Sequence, residues 1–132
     1  MKKEKSCGAV VFKENQVLLI KHVLGHIDFP KGHMEAGENE KETAIREVKE
    51  ETNIDIILDS KHFATISYSP KEGVCKEVVF FLGYYQNGSI RKQPEEIAEV
   101  FWVNEDHVLD LLTWNSTKEV FKTLRKFTRQ EE

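Results

Sequence analysis

Glu47, Glu50 and Glu51 fall at i, i+3 and i+4 in the run ETAIREVKEET. On a helix, that spacing puts three carboxylates on one face. In the same run Ala44, Ile45, Val48 and Thr52 recur at helical spacing and form a stripe that can meet a core. Asn39, with Glu42 three residues on, supplies a start close to a capping box. Like charges at this spacing repel, and the spacing interleaves no Lys or Arg among them. A hard divalent cation offsets the repulsion. Mg²⁺ takes oxygen ligands, keeps several waters and joins a few carboxylates to substrate phosphates. Taken alone, EVKEE reads as a solvated acidic face, and it is what precedes it that changes the reading.

Gly32 is followed by five residues and then Glu38, and seven more lead to Arg46-Glu47, an apolar residue, a free residue and Glu50-Glu51. Average residue usage gives those six matches in on the order of one window in ten million. The pattern resembles the Nudix box, the signature of hydrolases that cleave a nucleoside diphosphate linked to another group. The resemblance implies a Mg²⁺ or Mn²⁺ site made by the Gly32 carbonyl with Glu47, Glu50 and Glu51. It also implies an extra acid before a late strand, joining the metal shell or acting as base. Glu96, six residues before Trp102, matches best, although Pro94-Glu95-Glu96 reads equally as a charged turn. The general base is then Glu47 or Glu96. Arg46 pairs with a carboxylate such as Glu38 and orients the helix, a task for a rigid guanidinium. One position departs from the box. Asn53 stands where the pattern has Gly, and Asn tolerates the left-handed backbone better than most residues.

Phe29-Pro30-Lys31-Gly32-His33 precedes the acidic helix, with Lys31 where many Nudix enzymes have a second Gly. The PKGH form is similar to that of the dinucleoside-polyphosphate hydrolases, which act on diadenosine tetraphosphate. Lys31 is a point charge suited to a phosphate chain. His33 could donate to a phosphate or bridging oxygen. A solvated lysine and a histidine that only bonds backbone are the plainer readings. His26 reads as a structural or solvated loop histidine. Animal and plant members of the subfamily carry a Trp just before this loop, where this chain has Ile27. The resemblance also puts a phosphate-binding lysine near Lys76, which otherwise reads as an edge-strand lysine. Trp114, between two expected helices, could stack on adenine. Trp102, inside a strand, reads as packing.

The chain has 132 residues, 39% hydrophobic and 32% charged, with net charge −4. Those values suit one soluble domain over residues 1–132. They exclude a global basic footprint for nucleic acid, so an anionic substrate must meet local cations and metal. No segment approaches membrane-spanning length, and the apolar stretch after MKKEKS is cut at Lys13. Cys7 and Cys75 form no CxxC pair and read as reduced strand residues of a cytoplasmic protein, monomer or homodimer.

Strands are expected over Ser6–Phe12 and Val17–Val23 around a Glu14-Asn15 turn, then a long loop from Leu24 to Gly37. After the acidic helix come strands over Ile54–Ser67 and Val74–Tyr85, an Asn87-Gly88 turn and a short strand over Val100–Val103. Asn104 could cap a short helix through Leu112. Ser116 with Glu119 opens a last helix whose apolar face is Val120, Leu124 and Phe127. Strands and helices do not alternate strictly, so the class is α+β or an α/β/α sandwich. The resemblance sharpens this to a mixed sheet between helices. Together these features imply a Mg²⁺-dependent pyrophosphohydrolase acting on a small nucleotide, with diadenosine tetraphosphate foremost. A nucleotide-pool sanitiser, an RNA 5′-end pyrophosphohydrolase and an ADP-ribose pyrophosphatase share the chemistry. A nucleotide-sensing module without catalysis would not need the intact acid set, nor would a protein-interaction domain.

Overall fold

The computed structural model of the protein describes residues 2–128. Its elements run β1 (Lys2–Lys13), β2 (Gln16–His22), β3 (Ile27–Asp28), β4 (Lys31–His33), α1 (Glu40–Thr52), β5 (Asp55–Tyr68), β6 (Val74–Asn87), β7 (Ile97–Asn104), a 3₁₀ turn (Glu105–His107), α2 (Val108–Leu111) and α3 (Asn115–Arg125). The sheet is mixed. β1 runs parallel to β6, and the other pairs are antiparallel. Residues 6–12 of β1 are all buried, because β1 is central and covered on both faces. One face packs Val10, Phe12, Phe29 and Phe80 against Val108, Val120, Phe121 and Leu124 of the two C-terminal helices. The other packs Ala9, Val11 and Leu18 against Val48 of α1. This is the expected layering of a mixed sheet between helices.

The sheet is split at one place. β1 and β2 pair only beside their turn, Phe12 with Val17 and Lys13 with Gln16. Farther on, β2 pairs with β3 and β1 pairs with β4. The segment expected to be one long loop therefore contains two short strands that fill the fork between β1 and β2. Sequence reading misses strands of two and three residues, because no periodicity can show in so few. Gly8 lets the fork close: a Cβ there would overlap the Pro30 carbonyl and Lys31.

α1 begins as expected. The Asn39 side chain accepts from the Glu42 N–H at 2.8 Å, and Glu42 accepts from the Asn39 N–H at 2.9 Å. Ala44, Val48 and Thr52 are buried, but Ile45 is exposed and Thr43 takes its place facing inward. The helix ends on Asn53 at φ 68°, the left-handed conformation that Gly would supply. The Asn53 amide also donates to the Ser89 carbonyl at 3.0 Å.

Three further expectations are corrected. β7 is longer than Val100–Val103 because it pairs with all of β2. Ser116 does not cap α3, which starts at Asn115 with Trp114 at the cap position and no side-chain cap bond. Phe127 is not on its buried face. Phe121 is buried instead, and Phe127 stacks on His62 at 4.1 Å between ring centres. Asn104 does cap the preceding turn, accepting from the Asp106 N–H at 2.8 Å. Among the described residues, no helix is long and apolar enough to cross a membrane. Asn53→Ala should cost up to about 1–2 kcal/mol, because Ala bears the full left-handed penalty that the short polar Asn side chain eases, and Asn53→Gly clearly less. Urea midpoints compare the two, and equal midpoints would remove the cap as the cause.

Candidate active site

Arg46 gathers the acidic motif. Its Nε and Nη2 donate to the two Glu38 oxygens at 2.6 and 3.0 Å, a fork-to-fork pair. Nη2 also donates to the His33 carbonyl at 2.9 Å, and Nη1 reaches Glu47 and Glu50 at 3.1 Å each. Glu38 is the expected partner. The contacts to Glu47 and Glu50 correct the view that no cation interleaves on the acidic face: Arg46 precedes Glu47 directly, and its long side chain folds back over that face. Glu38 accepts as well from the Glu35 N–H and the Thr43 hydroxyl, each at 2.9 Å. The Arg46 bond, ahead of the Glu35 N–H, pulls the Glu38 carboxyl down to about 2.

Gly32 lies against Glu47. A Cβ on Gly32 would overlap the Glu47 carboxyl group. Burial pushes the Glu47 carboxyl up, against the opposing pull of Arg46. Glu51 is only 5% exposed. It accepts from the Lys31 N–H at 3.0 Å, tying β4 to α1. Burial, opposed by that hydrogen bond, pushes Glu51 up to about 8, with the charges of Glu47 and Glu96 adding to the shift. A buried carboxylate so short of positive charge favours a cation beside it.

Carboxylate oxygens beside a close backbone approach at Gly32 are donors of the kind that suit a hard divalent ion. Among the described residues, no three His, Cys, Asp or Glu side chains are gathered to chelate an ion as they stand. Arg46 bonds to Glu47 and Glu50, and the Lys31 amide to Glu51. Glu96 sits exposed on the turn before β7, where its carbonyl accepts from the Val23 N–H at 2.9 Å.

Lys31 and Lys76 come from different strands to one region. Lys31 pairs with Gly8 and His33 with Ser6 in the β1–β4 register. Lys76 pairs with Glu4 of β1 and Tyr68 of β5, so it lies inside the sheet and not on an edge strand. Burial lowers the Lys76 ammonium, and the Lys31 charge lowers it further. The His33 ring is exposed while its backbone holds Arg46. Asp28, not singled out by sequence, is 2% exposed with Oδ2 at 3.9 Å from Lys31 Nζ. Burial pushes Asp28 up to about 6, against the pull of Lys31. The available signal was an acid between Ile27 and Phe29 in an otherwise apolar run.

Trp114 is 49% exposed, which rules out a core plug. It joins a ladder of rings: His22 on His26 at 4.0 Å, and His26 to Trp114 at 5.8 Å. Thr113 fixes this loop to β3, its hydroxyl accepting from the Ile27 N–H at 2.8 Å. His26 is therefore a ring-stacking residue, half-buried on His22. Burial lowers His26, and Lys31 adds to it. Trp102 packs as expected, edge-on to Tyr85 at 5.8 Å.

A family model described as the NUDIX domain matches residues 2–124. Among curated proteins, the chain is 33% identical over 95 residues to an NAD-capped RNA hydrolase NudC of Photobacterium profundum, covering 70% of this chain and 34% of that one. It spans about a third of the length of the curated relatives it matches first. It is 24% identical over 140 residues to the asymmetrical bis(5′-nucleosyl)-tetraphosphatase of Rattus norvegicus, covering 93% of this chain and 94% of that one. A solved structure of a C. elegans Ap4A hydrolase binary complex superposes with TM-score 0.83 at 24% identity, covering 94% of this chain and 96% of that chain.

Gly32→Ala should displace the Glu47 carboxyl and cut turnover by at least a hundredfold, about 2.7 kcal/mol of barrier, with circular dichroism unchanged. Wild-type turnover would show that the close approach is dispensable. Glu51 gives a pH test. Its folded value of about 8 lies above the unfolded ~4.3. The native state then holds a proton that the unfolded state releases, so metal-free stability falls as pH rises through that window. Glu51→Gln should lack this slope and be the more stable form at neutral pH while losing activity. Parallel melting-versus-pH curves for the two proteins would overturn the assignment.

Proposed function

We propose, on the premise that this chain belongs to the Nudix family and hydrolyses phosphoric anhydride bonds, that its substrate is a dinucleoside polyphosphate, with diadenosine tetraphosphate preferred. The observation that carries this reading is the approach of Lys76 to Lys31, whose backbone amide is bound by Glu51 of the acid helix. Two ammonium groups that repel, both partly buried, are suited to an anion with several charges. A single diphosphate linkage already covered by metal needs fewer. The full-length likeness to the tetraphosphatase agrees with this choice. The likeness to NudC and to a putative MutT4 mutator protein keeps capped RNA and nucleoside triphosphates as comparison substrates.

In this reading Glu47, Glu50, Glu51 and the Gly32 carbonyl hold Mg²⁺ or Mn²⁺, with Glu96 contributing from the turn before β7. The bound ion supplies charge neutralisation and a more acidic water. Arg46 sets the pitch of the carboxylates by holding Glu38, Glu47 and Glu50 together. Glu47 or Glu96 takes the proton from the attacking water, the choice resting on reach to that water. Lys31 and Lys76 steady the phosphates, and His33 can donate to a bridging or terminal oxygen. The exposed Trp114 ring, with His26 tilted against it, offers a flat surface for adenine.

Products from a panel of diadenosine tetraphosphate, ADP-ribose, nucleoside triphosphates and NAD-capped RNA, resolved by chromatography, test this reading. Hydrolysis should require a divalent cation, and kcat/KM should rise with phosphate number. Glu50→Gln should cut turnover by orders of magnitude. Trp114→Ala should raise KM for adenine dinucleotides more than it lowers kcat, because stacking persists from ground state to transition state. ADP-ribose or capped RNA well ahead of the tetraphosphate would replace the substrate and leave the family assignment intact.

A further inference from the structure

Asp28 lies outside the acidic motif and has no part in the roles given above. It sits on β3 opposite Ile20, inside the fork between β1 and β2. One carboxyl oxygen accepts from the Phe29 N–H at 2.7 Å, and the other faces Lys31 Nζ at 3.9 Å. Lys31 is the one cation within ion-pair distance of Asp28 among the described residues. An amide would accept from the Phe29 N–H equally well, so that bond does not explain a charge at a site 2% exposed. Burying a carboxylate is costly unless it is paired.

Lys31 has the complementary problem. A lysine side chain is long, flexible and strongly hydrated, and it loses rotamer freedom when confined. Here it is held with only 20% of its side chain exposed. At 3.9 Å the contact is longer than a charge-assisted hydrogen bond of about 2.7–2.9 Å. The ammonium hydrogens are thus restrained without being fully used by Asp28.

We propose that Asp28 is the positioning residue for Lys31, holding its ammonium in the fork so that a phosphate chain meets it already in place. The proposal rests on the reading of Lys31 as a phosphate contact. Asp28 touches no substrate. It lowers the ordering cost of the lysine before binding.

The test compares wild type, Asp28→Asn, Lys31→Met and the double variant on diadenosine tetraphosphate at saturating Mg²⁺. Asp28→Asn should raise KM roughly three- to tenfold, the ordering cost of one long side chain, with little change in kcat. Its melting temperature should hold or rise, because a buried charge is gone. Lys31→Met should raise KM at least as much, and the double variant should match Lys31→Met alone. Trace acetylation of Lys31 in the substrate-free protein, read by mass spectrometry, should be faster in Asp28→Asn. Asp28→Ser, which keeps an acceptor for the Phe29 amide, carries the same test should the amide variant not fold. An unchanged KM in Asp28→Asn beside a raised KM in Lys31→Met would overturn the positioning role. So would a KM rise that persists in full in the Lys31→Met background. If Lys31→Met leaves KM unchanged, the phosphate contact itself fails and the proposal falls with it, while metal-dependent hydrolysis stands.

Discussion

The Arg46 guanidinium is the constraint on which the site depends. It binds Glu38 from the loop before α1, the His33 carbonyl from β4, and Glu47 and Glu50 from α1 itself. Those groups come from three consecutive pieces of chain, and a planar five-donor fork fixes their relative angles as a flexible ammonium could not. Charge explains the economy of the arrangement. Arg46 partly relieves the repulsion among carboxylates that must stay close, and leaves Glu51, the most buried of them, short of positive charge.

The fork in the sheet puts this hub where it is. β1 and β2 separate after two residue pairs, and the chain inserts β3 and β4 between them. Gly8 and Gly32 make the insertion possible, each at a point where a Cβ would strike a neighbour. The Lys31 amide then reaches Glu51, so the strand and the helix are joined by a bond to a buried carboxylate. Packing behind the fork is apolar and dense, with Phe29 fully buried between Phe80 and Phe121. A rigid backing of this kind keeps site geometry from drifting.

Around the hub the charges divide by origin. Acids come from α1 and the turn before β7, lysines from β4 and β6, and rings from the β2–β3 hairpin and the cap of α3. A metal ion, a phosphate chain and a base each want a different one of these environments.

The sequence alone determined the family, the helix that carries the acids, its capping box and its left-handed end at Asn53. These are local: each rests on residues within a turn or two of one another, and backbone sterics and i to i+4 spacing settle them. The layered α+β class was legible because the expected strands and helices do not alternate strictly along the chain. Spacing could not show that Arg46 lies over the acidic face, since that depends on side-chain rotamers. It could not show that Ile45 points outward or that Phe121 replaces Phe127 in the core, because helix phase is fixed by the partner surface. Lys76 looked like an edge lysine until β1 and β5 flanked its strand. The partners of Asp28 and the His22–His26–Trp114 ladder could not be read from spacing for the deepest reason: they are set by the fork, and only strand pairing across the sheet creates it.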